Sequence, residues 1–224
     1  MEAQMFFLPK APPLFENIET TNLRLPDILN KLSATSFTGY VSFIFPSSTT
    51  LMVFGSGKLG IVLLEEQNGA QQTSLNALIS LAAQMLSTNS GSMSAYKLSD
   101  NLGIRIRDLL GSKTIYTAQE LERINIRDVL EKIKVDRISG CLRIYTADKS
   151  ALIFYKDGNP QGFFHDGSHD MEKTAMESQK IASLPGARID LFSTQGVEDP
   201  MDTDLLELIN IQKLWDCAVA HHQT

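Results

Sequence analysis

The chain has 224 residues, enough for one large domain or two of roughly 100 residues each. Hydrophobic residues make up 43% and charged residues 21%, an ordinary globular balance, and no stretch approaches the ~20 apolar residues of a membrane span. A formal net charge of −6 and a pI of about 5.2 argue against nucleic acid and anionic membrane surfaces as partners, because both require a basic footprint.

Residues 1–22 read as an N-terminal arm, since Pro9, Pro12 and Pro13 interrupt regular structure. The start has no basic region and only a short apolar run, so it does not resemble a secretory signal. Leu25 to Ser33 is predicted to be a short helix, with Pro26 and Asp27 in the first turn, where both are favoured. Tyr40–Phe45, Leu51–Phe54 and Leu59–Leu64 read as three strands joined by short turns, hence an antiparallel meander. A longer helix follows from about Ser74 to Leu86, with Leu75, Leu78, Ile79, Ala82, Met85 and Leu86 in an apolar stripe. Ser92 to Leu98 is a fourth strand. Leu102–Leu110 then reads as an appended helical piece, and Thr117-Ala118-Gln119-Glu120 has capping-box spacing.

The same order then repeats. Leu25-Pro26-Asp27-Ile28-Leu29-Asn30-Lys31-Leu32 is answered by Ile126-Arg127-Asp128-Val129-Leu130-Glu131-Lys132-Ile133, an offset of 126 − 25 = 101. That offset carries Phe37-Thr38-Gly39 onto Ile138-Ser139-Gly140, Leu51 onto Leu152, Phe54 onto Tyr155 and Gly57 onto Gly158. The second set is a helix over Ile126–Lys134, strands over Cys141–Tyr145, Leu152–Tyr155 and Gln161–Phe164, a helix from about Met171 to Ser183, and a strand over Arg188–Phe192. Asp204 to about His221 forms a last helix that is apolar around most of its girth. The shared positions specify a fold: periodic apolar residues, turn glycines and a helix-start aspartate. The expectation is an α+β protein of two tandem homologous modules in a pseudo-twofold arrangement, with an arm at 1–22, a first module at 23–112 and a second, including the C-terminal helix, at 113–224.

The short Leu-rich helix, the glycine before the first strand and the second glycine of "F/Y-x-x-G" resemble the PATAN-type (PatA N-terminal-like) bacterial domain, over roughly residues 23–110 and 124–220. The resemblance implies a cytoplasmic, non-enzymatic interaction module in bacterial signal transduction, connected with motility, pilus control or differentiation. It carries over neither catalytic residues nor a cofactor. Such domains often accompany phosphorelay receiver domains. This chain has none attached, so the implied partner is another signalling protein: a receiver-domain protein, a small GTPase or a pilus or motility component. The first copy departs from the pattern around Gly55-Ser56-Gly57.

Few residues invite chemistry. His165-Asp166-Gly167-Ser168-His169-Asp170 holds the candidate metal ligands His165, His169 and Asp166, and an alternative function as a small-molecule- or metal-binding protein or enzyme centres there. Gly167 places this stretch in a loop, the matching segment of the first module has no histidine, and Asp170 suits the N-cap of the next helix. Gly55-Ser56-Gly57-Lys58 resembles a phosphate loop but lacks its spacing and following helix. Cys141 and Cys217 sit in apolar contexts and read as buried, reduced thiols. The wide apolar girth of the C-terminal helix suggests contact on two sides, either as packing between the two modules or as a homodimer or partner surface, and in the latter case Trp215, Leu208 and Ile211 are the partner-binding candidates. Acid is concentrated late in the chain: residues 113–224 hold 13 Lys/Arg and 18 Asp/Glu, or −5, against 7 and 8, or −1, in residues 1–112. Glu198, Asp199, Asp202, Asp204 and Glu207 supply much of it, as a solvated loop and helix start or a docking site for a basic partner.

Overall fold

The computed structural model describes residues 8–88, 90–195 and 204–222, and within them the chain is α+β with two antiparallel sheets. The first elements are β1 (Pro13–Glu19), α1 (Leu25–Ala34), β2 (Gly39–Phe45), β3 (Ser48–Gly55), β4 (Lys58–Glu66), β5 (Gln71–Thr73), α2 (Ser74–Ser87), β6 (Ser92–Lys97) and α3 (Asp100–Leu110). There follow β7 (Lys113–Glu120), α4 (Ile126–Val135), β8 (Gly140–Tyr145), β9 (Ser150–Lys156), β10 (Asn159–His165), α5 (Met176–Ala182), β11 (Arg188–Ser193), α6 (Leu205–Leu208) and α7 (Ile211–His222). Two compact units result. One comprises Pro13–Gly103 and the C-terminal stretch 204–222, the other residues 8–12 and 104–195.

In the first unit the strands lie in the order β1-β6-β2-β3-β4-β5. Alternation along β2 and β3 puts Val41, Phe43, Phe45, Met52 and Phe54 on one face. That face is buried against Leu25, Leu29 and Leu32 of α1 and Leu78, Leu81 and Met85 of α2. α7 packs on α2 and α1 and adds Ile211 and Trp215 to the same core. In the second unit the order is β10-β9-β8-β11-β7. Leu142, Ile144, Ile153, Ile189 and Leu191 form its core with Ile133 of α4 and Ile181 of α5. In each sheet the strand that follows the second helix, α2 or α5, lies between the first meander strand and an edge strand that precedes the first helix, α1 or α4.

Backbone features recur at the 101-residue offset. The two-residue hairpin loops Ser56-Gly57 and Asp157-Gly158 have φ of 51° and 84°, and 50° and 78°, the type I′ signature that matches strand twist. Gly57 donates its N–H to the Phe37 carbonyl at 2.9 Å, and Gly158 donates to that of Ile138 at 3.0 Å. The edge strands share a bulge at Asn17 (φ 56°) and Ala118 (φ 50°), where 118 − 17 = 101. A bulge leaves an N–H outside the ladder. The neighbouring strand supplies the acceptor each time: Ser94 Oγ for Asn17 at 3.0 Å, and Asp190 Oδ1 for Ala118 at 2.7 Å.

Several elements differ from the sequence reading. Within the arm expected at 1–22, Pro13–Glu19 is a strand, with Pro13 at its first position on a sheet edge, where a missing N–H is tolerated. Thr117–Glu120 belongs to edge strand β7, and its capping-box spacing starts no α-helix. α5 begins at Met176, not Met171, because Glu172 exchanges two main-chain hydrogen bonds with Phe163, of 2.8 and 2.9 Å, that prolong the sheet edge. Asp170 accordingly caps no helix; its carboxylate accepts from Met171 N–H. The C-terminal helix is two pieces, because the Asn210 side chain accepts from Lys213 N–H and starts α7 afresh. That C-terminal stretch belongs to the unit built from the first half of the chain, whereas the reading at 113–224 grouped it with the second. Glu198, Asp199 and Asp202 lie outside the described residues.

Candidate functional site

The loop after β10 gathers the sequence-nominated histidine and aspartate, and their contacts are specific. Ser168 closes the turn, its N–H and Oγ–H both donating to the His165 carbonyl, at 3.1 and 2.9 Å. The Asp166 carboxylate projects from this turn and accepts two main-chain N–H groups, from Lys10 on Oδ1 and Ser150 on Oδ2, each at 2.8 Å. Gly167 N–H donates to the Lys10 carbonyl at 2.7 Å. Asp166 and Gly167 therefore hold both main-chain groups of Lys10.

The His165 ring, with 14% of its side chain exposed, is gripped at both nitrogens. Nδ1 lies 2.9 Å from the Asp166 carbonyl, and Nε2 lies 3.0 Å from Glu172 Oε1. A carbonyl and a carboxylate only accept, so both approaches favour the doubly protonated ring, the one to Glu172 as an ion-pair contact rather than a well-formed hydrogen bond. Burial by itself lowers its pKa. The hydrogen bond to the Asp166 carbonyl, the contact with and charge of Glu172, and the charge of Glu177 outweigh this and hold it above its ordinary 6.5. His169 is exposed. With both Asp166 oxygens holding amides, these residues do not converge into a donor set, and among the described residues no three His, Cys, Asp or Glu side chains are grouped to hold a metal ion.

The partner-binding candidates separate. Trp215 is 5% exposed and Ile211 7%, and both lie in the first unit's core rather than on a free helix face. The apolar girth of the helix is spent on its own unit, which removes these two as surface residues. Leu208, at the end of α6, is 70% exposed. The cysteines also differ from expectation: Cys141 is buried, but Cys217 is exposed on α7. Burial drives the Cys141 thiol far above its ordinary pKa, which keeps it protonated and poorly nucleophilic.

A buried polar group in the second unit was not foreseen from sequence. Arg143 and Asp190 are cross-strand partners on β8 and β11, on the sheet face away from the aliphatic core, with Nε 3.2 Å from Oδ2 and side-chain exposures of 4% and 6%. The Arg143 guanidinium also lies 3.9 Å from the Tyr145 ring centre, a cation–π contact. Asp190 Oδ1 accepts the Ala118 N–H of the bulge and, at 3.4 Å, the Tyr145 hydroxyl. Opposite charges at the centres of two alternating runs, Cys141-Leu142-Arg143-Ile144-Tyr145 and Arg188-Ile189-Asp190-Leu191-Phe192, were the available signal.

Comparison of the chain with family models, with curated proteins and with solved structures finds no match in any of the three. Among the described residues, no helix is long and apolar enough to cross a membrane.

Proposed function

We propose that the protein is a non-catalytic, cytoplasmic interaction module of the PATAN type, built from two copies of one unit and acting in bacterial signal transduction by binding another signalling protein. One observation carries this reading: the backbone devices recur between the units, and the chemistry-bearing side chains do not. The ladder position of Arg143 and Asp190 in the second unit is held by Ser42 and Ser94 in the first. The acceptor for the bulge N–H survives that exchange and the charges do not. Asp166, Asp190 and Asp204 all bind main-chain amides, so these carboxylates serve the scaffold. What such a scaffold offers a partner is its surface, and Leu208 is the exposed apolar candidate on α6.

The test is affinity capture from the native cell with wild type and Leu208→Asp, with bound proteins identified by mass spectrometry. A receiver-domain protein, small GTPase or pilus component held by wild type and lost by the variant supports both the reading and the surface. Equal capture by both removes Leu208 from the interface. Capture of no specific protein by wild type overturns the reading.

A further inference from the structure

We propose that His165 is a pH-operated clasp that holds the N-terminal segment 8–12 on the second unit. The segment is anchored at Lys10, whose N–H and carbonyl are both taken by Asp166 and Gly167. Around that anchor Leu8 and Ala11 are buried, at 7% and 2% exposure. The anchoring residues are the two that directly follow His165, and the ring's Nδ1–H donates to the carbonyl of the first of them. When doubly protonated, the ring ties the turn that grips Lys10 to Glu172, which is itself paired with Phe163 through the main chain.

Loss of one proton breaks this arrangement whichever nitrogen gives it up. If Nδ1–H remains, the Nε2 lone pair faces the Glu172 carboxylate at 3.0 Å, and the two acceptors repel. If Nε2–H remains, the Nδ1 lone pair faces the Asp166 carbonyl at 2.9 Å, and the turn is pushed out of the shape that holds Lys10. The charged groups around the ring are Glu172, in contact; Glu177, which also interacts with Lys180 and Lys149; and Asp166, whose carboxylate points to Lys10 and Ser150 main-chain amides. The anionic neighbours favour the charged ring. The clasp is therefore closed at acid pH and loosens as pH rises through the His165 midpoint.

The test is amide exchange by NMR on the whole chain from about pH 5.5 to 9, expressed as protection factors corrected for intrinsic exchange, with the His165 ring titrated in the same samples. The Lys10 and Gly167 amides should begin to lose protection near pH 6.5, and the loss should be complete once pH has passed the ring's own midpoint. The loss should be about tenfold for each pH unit by which that midpoint exceeds the ordinary 6.5. Val41, in the other unit's core, should show no such step. In Glu172→Gln the ring midpoint should move to lower pH and the loss of protection should shrink with it, and in His165→Gln the loss should vanish. Flat protection of Lys10 and Gly167 across the ring titration overturns the clasp, as does a loss that keeps its full size in Glu172→Gln although the ring midpoint has moved. The second variant decides the matter even if His165→Gln does not fold.

Discussion

The Asp204 carboxylate accepts the main-chain N–H of Leu59 at 3.0 Å, through the same oxygen that accepts Leu206 N–H at 3.0 Å. One atom thus caps α6 and fastens it to β4, at a residue that is itself only 9% exposed. Asp204→Ala removes the cap and strands a buried donor, for an expected loss of about 2–4 kcal/mol in urea unfolding. The chain has a single tryptophan, and it lies on α7, so its fluorescence should shift to the red in the variant before global unfolding.

Trp215 and Leu208 should behave as opposites. Trp215→Ala opens a cavity in the first unit's core and should cost about 3–5 kcal/mol. Leu208→Ala, on an exposed side chain, should stay within about 0.5 kcal/mol. Denaturant melts of both variants check this, and a Leu208 effect as large as that of Trp215 would contradict the burial pattern.

Arg143 and Asp190 should be strongly coupled. Either serine substitution alone leaves a buried charge without its partner and should cost about 3–5 kcal/mol. The double variant reproduces the Ser42–Ser94 pair of the first unit, in which a serine serves the bulge amide. Its cost should fall short of the sum of the single costs by about 1–3 kcal/mol in a double-mutant cycle. Strict additivity would mean that the pair is not a unit.

Gly39 and Gly140 open the first meander strand of each unit, and each touches a carbonyl of the adjoining strand. A Cβ would lie 2.1 Å from the Tyr96 oxygen at Gly39 and 2.0 Å from the Phe192 oxygen at Gly140. Backbone oxygens in a ladder cannot swing aside. Alanine at either position should therefore destabilise by about 3 kcal/mol or more, at the upper end of overpacking costs. Similar losses at the two positions are expected in thermal melts.

His165 binds its proton more tightly in the folded chain than in the unfolded one, where the ordinary value of 6.5 applies. Its stabilising contribution is then complete below about pH 6.5 and disappears as pH rises through the higher folded midpoint. The difference in Tm between wild type and His165→Gln should be largest near pH 6 and shrink at alkaline pH. A gap that widens with pH would reverse the assigned sign.

Helices α1, α2 and α4 and both hairpins were legible because their periodicity and turn residues act locally: Leu25, Leu29 and Leu32 mark a face, and Asp157-Gly158 marks a turn. The edge strands β1 and β7 were not, because the left-handed residues Asn17 and Ala118 break the two-residue alternation by which a strand is recognised. The start of α5 was misplaced because Glu172 is drawn to a distant main-chain partner, Phe163. At the candidate site, the nearness of His165 and Asp166 was visible from sequence, but their partners Glu172, Lys10 and Ser150 come from separate stretches of chain. For the C-terminal helix, a wide apolar girth was readable. Its destination was not, since periodicity reports which side of a helix is covered and carries no address for what covers it.

That destination has a consequence for how the protein is made. α7 leaves the ribosome after the whole second unit, yet it completes the core of the unit synthesised first. During translation α1 and α2, on which α7 packs, must wait for the last helix of their own unit, while every described element of the second unit has already been made. Folding that runs from the N-terminus towards the C-terminus in ordinary multidomain chains is turned back on itself. Nascent chains stalled before Ile211 should consequently carry a first unit that is sticky and open to proteases.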